Sequence, residues 1–190
     1  MHFTPLSISG AFLVTPDPIR DQRGWFARAF CQREFTEQAI DFQVRQVNRS
    51  FSEDAGTLRG FHAQFPPYAA QQLLRCVRGS LLDVLVDLRP ESPTFLQSLR
   101  VELSAENQQS LLIPHRCCHA TQTQTDATEI IFLMSAFYAP EAEFGLRWDD
   151  PQLGISWPLP ISKISSKDAT HPLLSESLPA IKKRMALKNI

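Results

Sequence analysis

The strongest constraint in this sequence is a series of short segments in which apolar side chains recur at every second position, each closed by turn-forming residues. In "FLQSLRVEL" Leu99, Val101 and Leu103 alternate with Arg100 and Glu102, and in "SLLDVLVDLRP" Leu82, Val84, Val86 and Leu88 share one parity while Asp83 and Asp87 share the other. Both read as half-buried strands. Similar segments are "AFLVTP", "FQVRQVNRSF", "TLRGFHAQF", "QQLLRCVRG", "QSLLIP", "CCHATQTQ" and "TEIIFLMSAFYAP". That makes about ten short strands at the 8–12-residue spacing of a sandwich or barrel. The 14 prolines against 7 glycines suit strands joined by rigid turns better than long helices. Helical signals are confined to the flanks: "CQREFTEQAI" early, and "LSESLPAIKKRMALKNI" as a helical tail from about residue 175, with Lys182, Lys183 and Arg184 as its solvated basic end.

A chain of 190 residues without repeats, linkers or low-complexity tracts reads as one domain, and 43% hydrophobic residues are enough for a real core. With 19 Lys and Arg against 20 Asp and Glu, the net charge of −1 offers no whole-molecule field for nucleic acid or an anionic membrane. An anionic ligand would need a local Arg cluster. No apolar run approaches a membrane span, and the N-terminal stretch lacks the pattern of a secretion signal, so a cytoplasmic chain is expected. Cys31, Cys76, Cys117 and Cys118 lack metal-site or disulfide spacing and read as reduced thiols. The sequon Asn48-Arg49-Ser50 would then be idle.

Polar residues that break the inside-outside alternation gather in a few segments: Arg23 in "DQRGWF", Gln46 and Asn48 in "RQVNRS", Arg59 and His62 in "TLRGFHAQ", His119 in "CCHATQ", Tyr138 in "FYAP" and Asp168 in "SSKDA". Arginines hold a diphosphate through paired hydrogen bonds, a His oriented by an Asp is a general base near neutral pH, and a Tyr supplies a proton. Together they suggest proton transfer on a phosphorylated substrate. Singly, each has an ordinary reading as a core His, a surface Asp or a packed Tyr. Arg59 and His62 have opposite parity, so a bulge at Gly60 is needed to bring both into one cavity.

From about residue 3 to 175 the ordered segments "DQRGWFAR", "QVNRS", "TLRGFHAQ", "LLRCVRGSLLDVLVDLRPESPTF", "VELSAENQQSLLIP", "CCHATQT", "FYAP", "LRWDDPQLGISWPLP" and "ISSKDATHPLL" resemble the dTDP-4-dehydrorhamnose 3,5-epimerases. The resemblance implies an all-β, cupin-like jelly roll with short flanking helices, a homodimer, and epimerisation at C3, C5 or both of a nucleotide-linked 4-keto-6-deoxy sugar. It implies His62 as base, Asp168 as its orienting partner and Tyr138 as acid, with no cofactor or metal. Arg23, Phe26, Arg28, Gln46, Asn48, Arg59, Gln72, His119, Glu143 and Lys167 match positions expected to bind substrate, Phe26 packing on the nucleobase.

Three departures bear on specificity. Gln72 stands where the family commonly has a Lys expected to stabilise the enolate oxygen, and a neutral amide replaces the hydrogen bond but not the charge. "PHRCCHA" puts His115, Arg116 and Ala120 where Glu, Gly and Gly are frequent, and Arg28 replaces a frequent Glu, leaving the nucleobase open. A metal-dependent cupin would place a second His two residues after the first, but His62 is followed by Ala63-Gln64. The remaining alternatives are a mono-epimerase or ketoisomerase on another nucleotide sugar, and a non-catalytic sugar-nucleotide binding cupin.

Overall fold

The computed structural model of the chain describes residues 1–186. Its strands are β1 (His2–Pro5), β2 (Phe12–Thr15), β3 (Ile19–Asp21), β4 (Gly24–Phe26), β5 (Gln46–Ser52), β6 (Thr57–Gln64), β7 (Gln72–Arg78), β8 (Ser80–Asp87), β9 (Ser98–Ser104), β10 (Ser110–Ile113), β11 (Cys117–Thr123), β12 (Thr128–Met134), β13 (Glu143–Gly145) and β14 (Lys163–Ile164). Three α-helices, α1 (Gln32–Glu37), α2 (Ser166–Ala169) and α3 (Leu174–Arg184), and a short 3-10 helix, Pro140–Ala142, complete the description. One sheet runs β1-β2-β10-β7-β12-β5 and the other β13-β6-β11-β8-β9, with β14 parallel to the free end of β6; the pair β3–β4 forms a separate hairpin. This is the expected antiparallel jelly roll. The central strands coincide with the alternating segments, whereas β1 and the β3–β4 hairpin carry no clear period and were not expected as strands.

Between the sheets Leu74, Leu81, Leu85, Leu103, Leu111, Ile113 and Ile130 form an apolar layer. The half-buried reading holds for β9, where Arg100 and Glu102 are exposed and Val101 and Leu103 buried. It fails for β8, where Leu82 to Asp87 are all buried. One parity, Leu81, Asp83, Leu85 and Asp87, faces the barrel interior. The other, Leu82, Val84, Val86 and Leu88, packs with Phe61, Leu146, Leu174, Ile181 and Met185. The C-terminal segment thus roofs the outer face of the second sheet, so α3 is a packed element, not only a solvated tail. Its residues Leu174 and Ile181 are buried, and the Arg184 guanidinium lies 3.7 Å from the Phe65 ring centroid. The tail expected beyond it falls partly on residues 187–190, outside the described residues.

Asp87 keeps its charge in that buried layer because Arg89, Ser92 and Thr94 all donate to it; burial pushes its carboxyl up, but these bonds outweigh it and leave the group below the usual carboxylate range. The four cysteines are free. Burial pushes the Cys117 thiol up to about 12.

Candidate active site

A cavity of about 620 Å³ opens between the sheets, lined among others by Arg59 and His62 on β6, Gln72 on β7, His119 on β11, Ile130 and Phe132 on β12, and by Tyr138, Glu143, Lys167 and Asp168. The bulge foreseen at Gly60 is present: His119 pairs with His62 and Thr121 with Arg59, so three steps on β6 oppose two on β11. Gly60 has φ +118°, and a Cβ there would lie 2.6 Å from the His119 carbonyl oxygen. Only a residue without a side chain fits, and the extra residue turns Arg59 and His62 into the same cavity.

The bulge also builds the His62–Asp168 pair. His62 Nε2 lies 2.8 Å from Asp168 Oδ1, and the Gly60 N–H freed from the ladder donates to Asp168 Oδ2 at 3.1 Å. Asp168 arrives on α2, whose N-cap Ser165 accepts the Asp168 N–H at 3.0 Å. Burial pushes the Asp168 carboxyl up, but the bonds from His62, Gly60 and Ser165 prevail and hold it below its ordinary value. It therefore stays a carboxylate. A hydrogen bond from Nε2–H to that carboxylate defines the neutral tautomer with its lone pair on Nδ1.

Beside it sits a second His–Asp pair: His119 Nδ1 is 2.8 Å from Oδ2 of the fully buried Asp83. Asp83 escaped the sequence reading because it was assigned to a solvent face. The signal was available in Leu81 and Leu85, which share its parity and mark that face as buried.

At the cavity mouth the Tyr138 hydroxyl donates to Glu143 Oε2 at 2.8 Å, and Lys167 Nζ donates to the same oxygen at 2.6 Å. The Glu143 carboxylate raises the Tyr138 phenol, which stays protonated, and raises the Lys167 ammonium too. Burial pushes Glu143 up, but Lys167 and Tyr138 outweigh it, so the carboxyl lies below its ordinary value. The Tyr138 loop is pinned by two glutamines: Gln46 accepts its N–H, and Gln64 accepts the Ala139 N–H at 2.7 Å. Gln64 went unnoticed in the sequence.

The other expected residues divide. Arg59 donates to Ser52 Oγ and to the Phe51 carbonyl at the cavity wall. Gln46 and Asn48 lie on the inward face of β5 in line with Ser50, which lines the cavity, although neither of the two is itself a lining residue. Arg23, Phe26 and Arg28 are not brought to the cavity within one chain. Arg23 pairs with Asp21 on the exposed hairpin, Phe26 is 71% exposed, and Arg28 pairs with Glu34, which also holds the Met1 amine. Donor atoms of His62, Asp168 and His171 lie within 4.8 Å of one another. Both Asp168 oxygens are already engaged there, Oδ1 by His62 and Oδ2 by the Gly60 N–H.

A jelly roll whose cavity gathers two His–Asp pairs, with a phenol at its mouth and an Arg in its wall, is built as a cupin-like enzyme. The family model described as dTDP-4-dehydrorhamnose 3,5-epimerase matches residues 5–176. The enzyme of that name from Sinorhizobium fredii is 40% identical over 177 residues, 93% of this chain and 91% of its own. Among solved structures, the Bacillus anthracis dTDP-4-dehydrorhamnose 3,5-epimerase with TDP and PPi bound superposes with a TM-score of 0.89 at 33% identity, covering 91% of this chain and 99% of its own. ChmJ, a 3'-monoepimerase from Streptomyces bikiniensis in complex with dTDP-quinovose, gives 0.87 at 36% identity, with 96% and 91% covered. The chain belongs to the dTDP-4-dehydrorhamnose 3,5-epimerase family and is an isomerase that epimerises a sugar nucleotide.

Proposed function

We propose that this chain inverts C3, C5 or both of a nucleotide-diphosphate-linked 4-keto-6-deoxy sugar through an enolate, with His62 as base and Tyr138 as acid. The observation that carries the reading is the 2.8 Å contact between His62 and the buried Asp168 carboxylate in a cavity that the Tyr138 hydroxyl also lines. A proton alpha to the C4 ketone passes to Nδ1 of His62, its bonding electrons become the enolate, and Asp168 stabilises the imidazolium. Inversion follows when a proton is returned from the opposite side of the ring, the role assigned to the Tyr138 phenol, which Glu143 and Lys167 hold in place. The step moves protons only, so the protein's own acid and base suffice without a redox cofactor or metal.

Arg59 and His119 are the cationic and hydrogen-bonding groups for the diphosphate and sugar, and Gln72 presents an amide to the enolate oxygen. Gln46 holds the Tyr138 backbone, and Asn48 extends the polar wall. TDP in the Bacillus anthracis structure supports a nucleoside-diphosphate ligand. Arg23 and Phe26 complete the site only if a second copy supplies them, which supports the homodimer. A cytoplasmic location, with no nucleic-acid or membrane partner, belongs to the same reading; among the described residues no helix is long and apolar enough to cross a membrane.

The test is incubation with dTDP-4-keto-6-deoxyglucose in D₂O, following deuterium at C3 and C5 by NMR. Incorporation at both carbons is the outcome for a double epimerase, and at one carbon for a mono-epimerase. His62→Ala is expected to lose turnover by about 10²-fold or more. Full turnover in that variant would remove His62 as the base.

A further inference from the structure

His171 lies outside the cavity lining, directly behind the base. Its side chain is 10% exposed, its ring meets the His62 ring edge-on at 5.7 Å and 81°, and its Nε2 is 3.7 Å from the Asp168 oxygen that His62 uses. That Nε2 is buried and has no hydrogen-bond partner among the described residues. Leaving a buried polar atom unpaired is costly, so its placement calls for a reason. Nor is the placement casual. Gly145 pairs with His62 across the sheet, and a Cβ on it would come within 2.3 Å of His171 Nε2. The bond from the Arg147 N–H to the Pro172 carbonyl, 3.1 Å, fixes the chain just beyond.

We infer that His171 is a positioning residue for the base: it walls the His62 ring and aims a second imidazole N–H at Asp168 Oδ1, keeping Nε2–H of His62 on the carboxylate and Nδ1 toward substrate. This rests on the reading of His62 as base. The groups that face His171 are His62 on β6, Asp168 and Lys167 on α2, and Glu143 on β13. Burial, and then the His62 charge, lower its own basicity, which suits a neutral donor. A movement of about 0.8 Å would bring Nε2 into hydrogen-bond range of Asp168. Oδ1 would then be shared between the two imidazoles and would stabilise the His62 imidazolium less.

His171→Phe keeps the wall and removes the donor. The expected result is a fall in kcat of about tenfold with KM changed less than about twofold, because a small misplacement of the base slows chemistry without touching ligand contacts. The acidic limb of the kcat profile should also move up by roughly half a pH unit, since Asp168 can then no longer turn to His171 and favours the His62 imidazolium throughout. His171→Gln, which returns an N–H near the same place, should restore the limb. A limb for His171→Phe that coincides with wild type would overturn the inference whatever happens to kcat, while full turnover in His62→Ala would overturn the underlying mechanism instead. Should His171→Phe not fold, ¹⁵N NMR of the five histidines in the intact protein decides. A neutral His171 with its proton on Nε2 across the active pH range supports the role, and an Nδ1–H tautomer or an imidazolium there overturns it.

Discussion

At the scale of single residues, the position that most directly tests the proposed enolate is Gln72. It lines the cavity from β7, with Ile113 and Met134 as its ladder partners. An enolate carries a full negative charge onto the former ketone oxygen, and a neutral amide meets it with a dipole where an ammonium would meet it with a charge. Oxyanion donors differ by about 10²–10³ in rate when one is lost, so exchanging amide for ammonium should recover part of that range. Gln72→Lys is expected to raise kcat on dTDP-4-keto-6-deoxyglucose by about tenfold, read as faster loss of substrate in the same D₂O assay. A rate that stays level or falls would mean the cavity already supplies the charge, with Arg59 and Lys167 among the cationic residues that line it. Single residues were also where the sequence was least informative. His62, Asp168 and Tyr138 carry no mutual spacing that betrays a shared site, because α2 and the Tyr138 loop reach β6 only through the fold. Their grouping came from the ordered resemblance, and His171 and Asp83, outside the residues it assigned, were missed.

The element on which the site depends is β6. Its parity conflict between Arg59 and His62 was legible in the sequence, and the bulge that resolves it also releases the N–H that steadies Asp168. Gly60→Ala would set a Cβ 2.6 Å from the His119 carbonyl and 2.7 Å from Ala120 Cα, on a backbone at φ +118°. Closing that clash means flattening the bulge or spreading β6 from β11. We expect at least about 2 kcal/mol of lost stability from the strained backbone and the displaced ladder together. Turnover should drop more than the loss of folded protein explains, as Asp168 loses its second donor. A melting temperature and kcat equal to wild type would show that the bulge is dispensable. The same kind of reading failed on β8. Alternation reveals which residues share a face but not what covers it, and the cover for Leu82, Val84 and Val86 comes from residues about 60 to 100 positions later in the chain. Two interior carboxylates were therefore assigned to solvent.

For the whole molecule, the chain is complete in its core and unfinished at one surface. Ile19, Trp25 and Phe26 on the β3–β4 hairpin are 73%, 50% and 71% exposed, and Val47, Phe51 and Val77 on the outward face of the first sheet are exposed as well. Apolar exposure of this kind on neighbouring elements is what an interface between chains would bury. The hairpin also carries Arg23 and Phe26, the two residues whose expected partners are the diphosphate and the base and which the chain does not bring to its own cavity. A symmetric pair in which each hairpin crosses to the other cavity satisfies both facts with one arrangement. Sedimentation should then give twice the 21.5 kDa of one chain, and Trp25→Glu should reduce it to the monomer. The sharper test mixes two inactive proteins, His62→Ala and an Arg23→Ala/Phe26→Ala double variant, after unfolding and refolding together. In a hybrid pair one site inherits both defects and the other inherits none. Random pairing therefore restores about a quarter of wild-type turnover, whereas a site built from one chain alone would stay silent in every mixture.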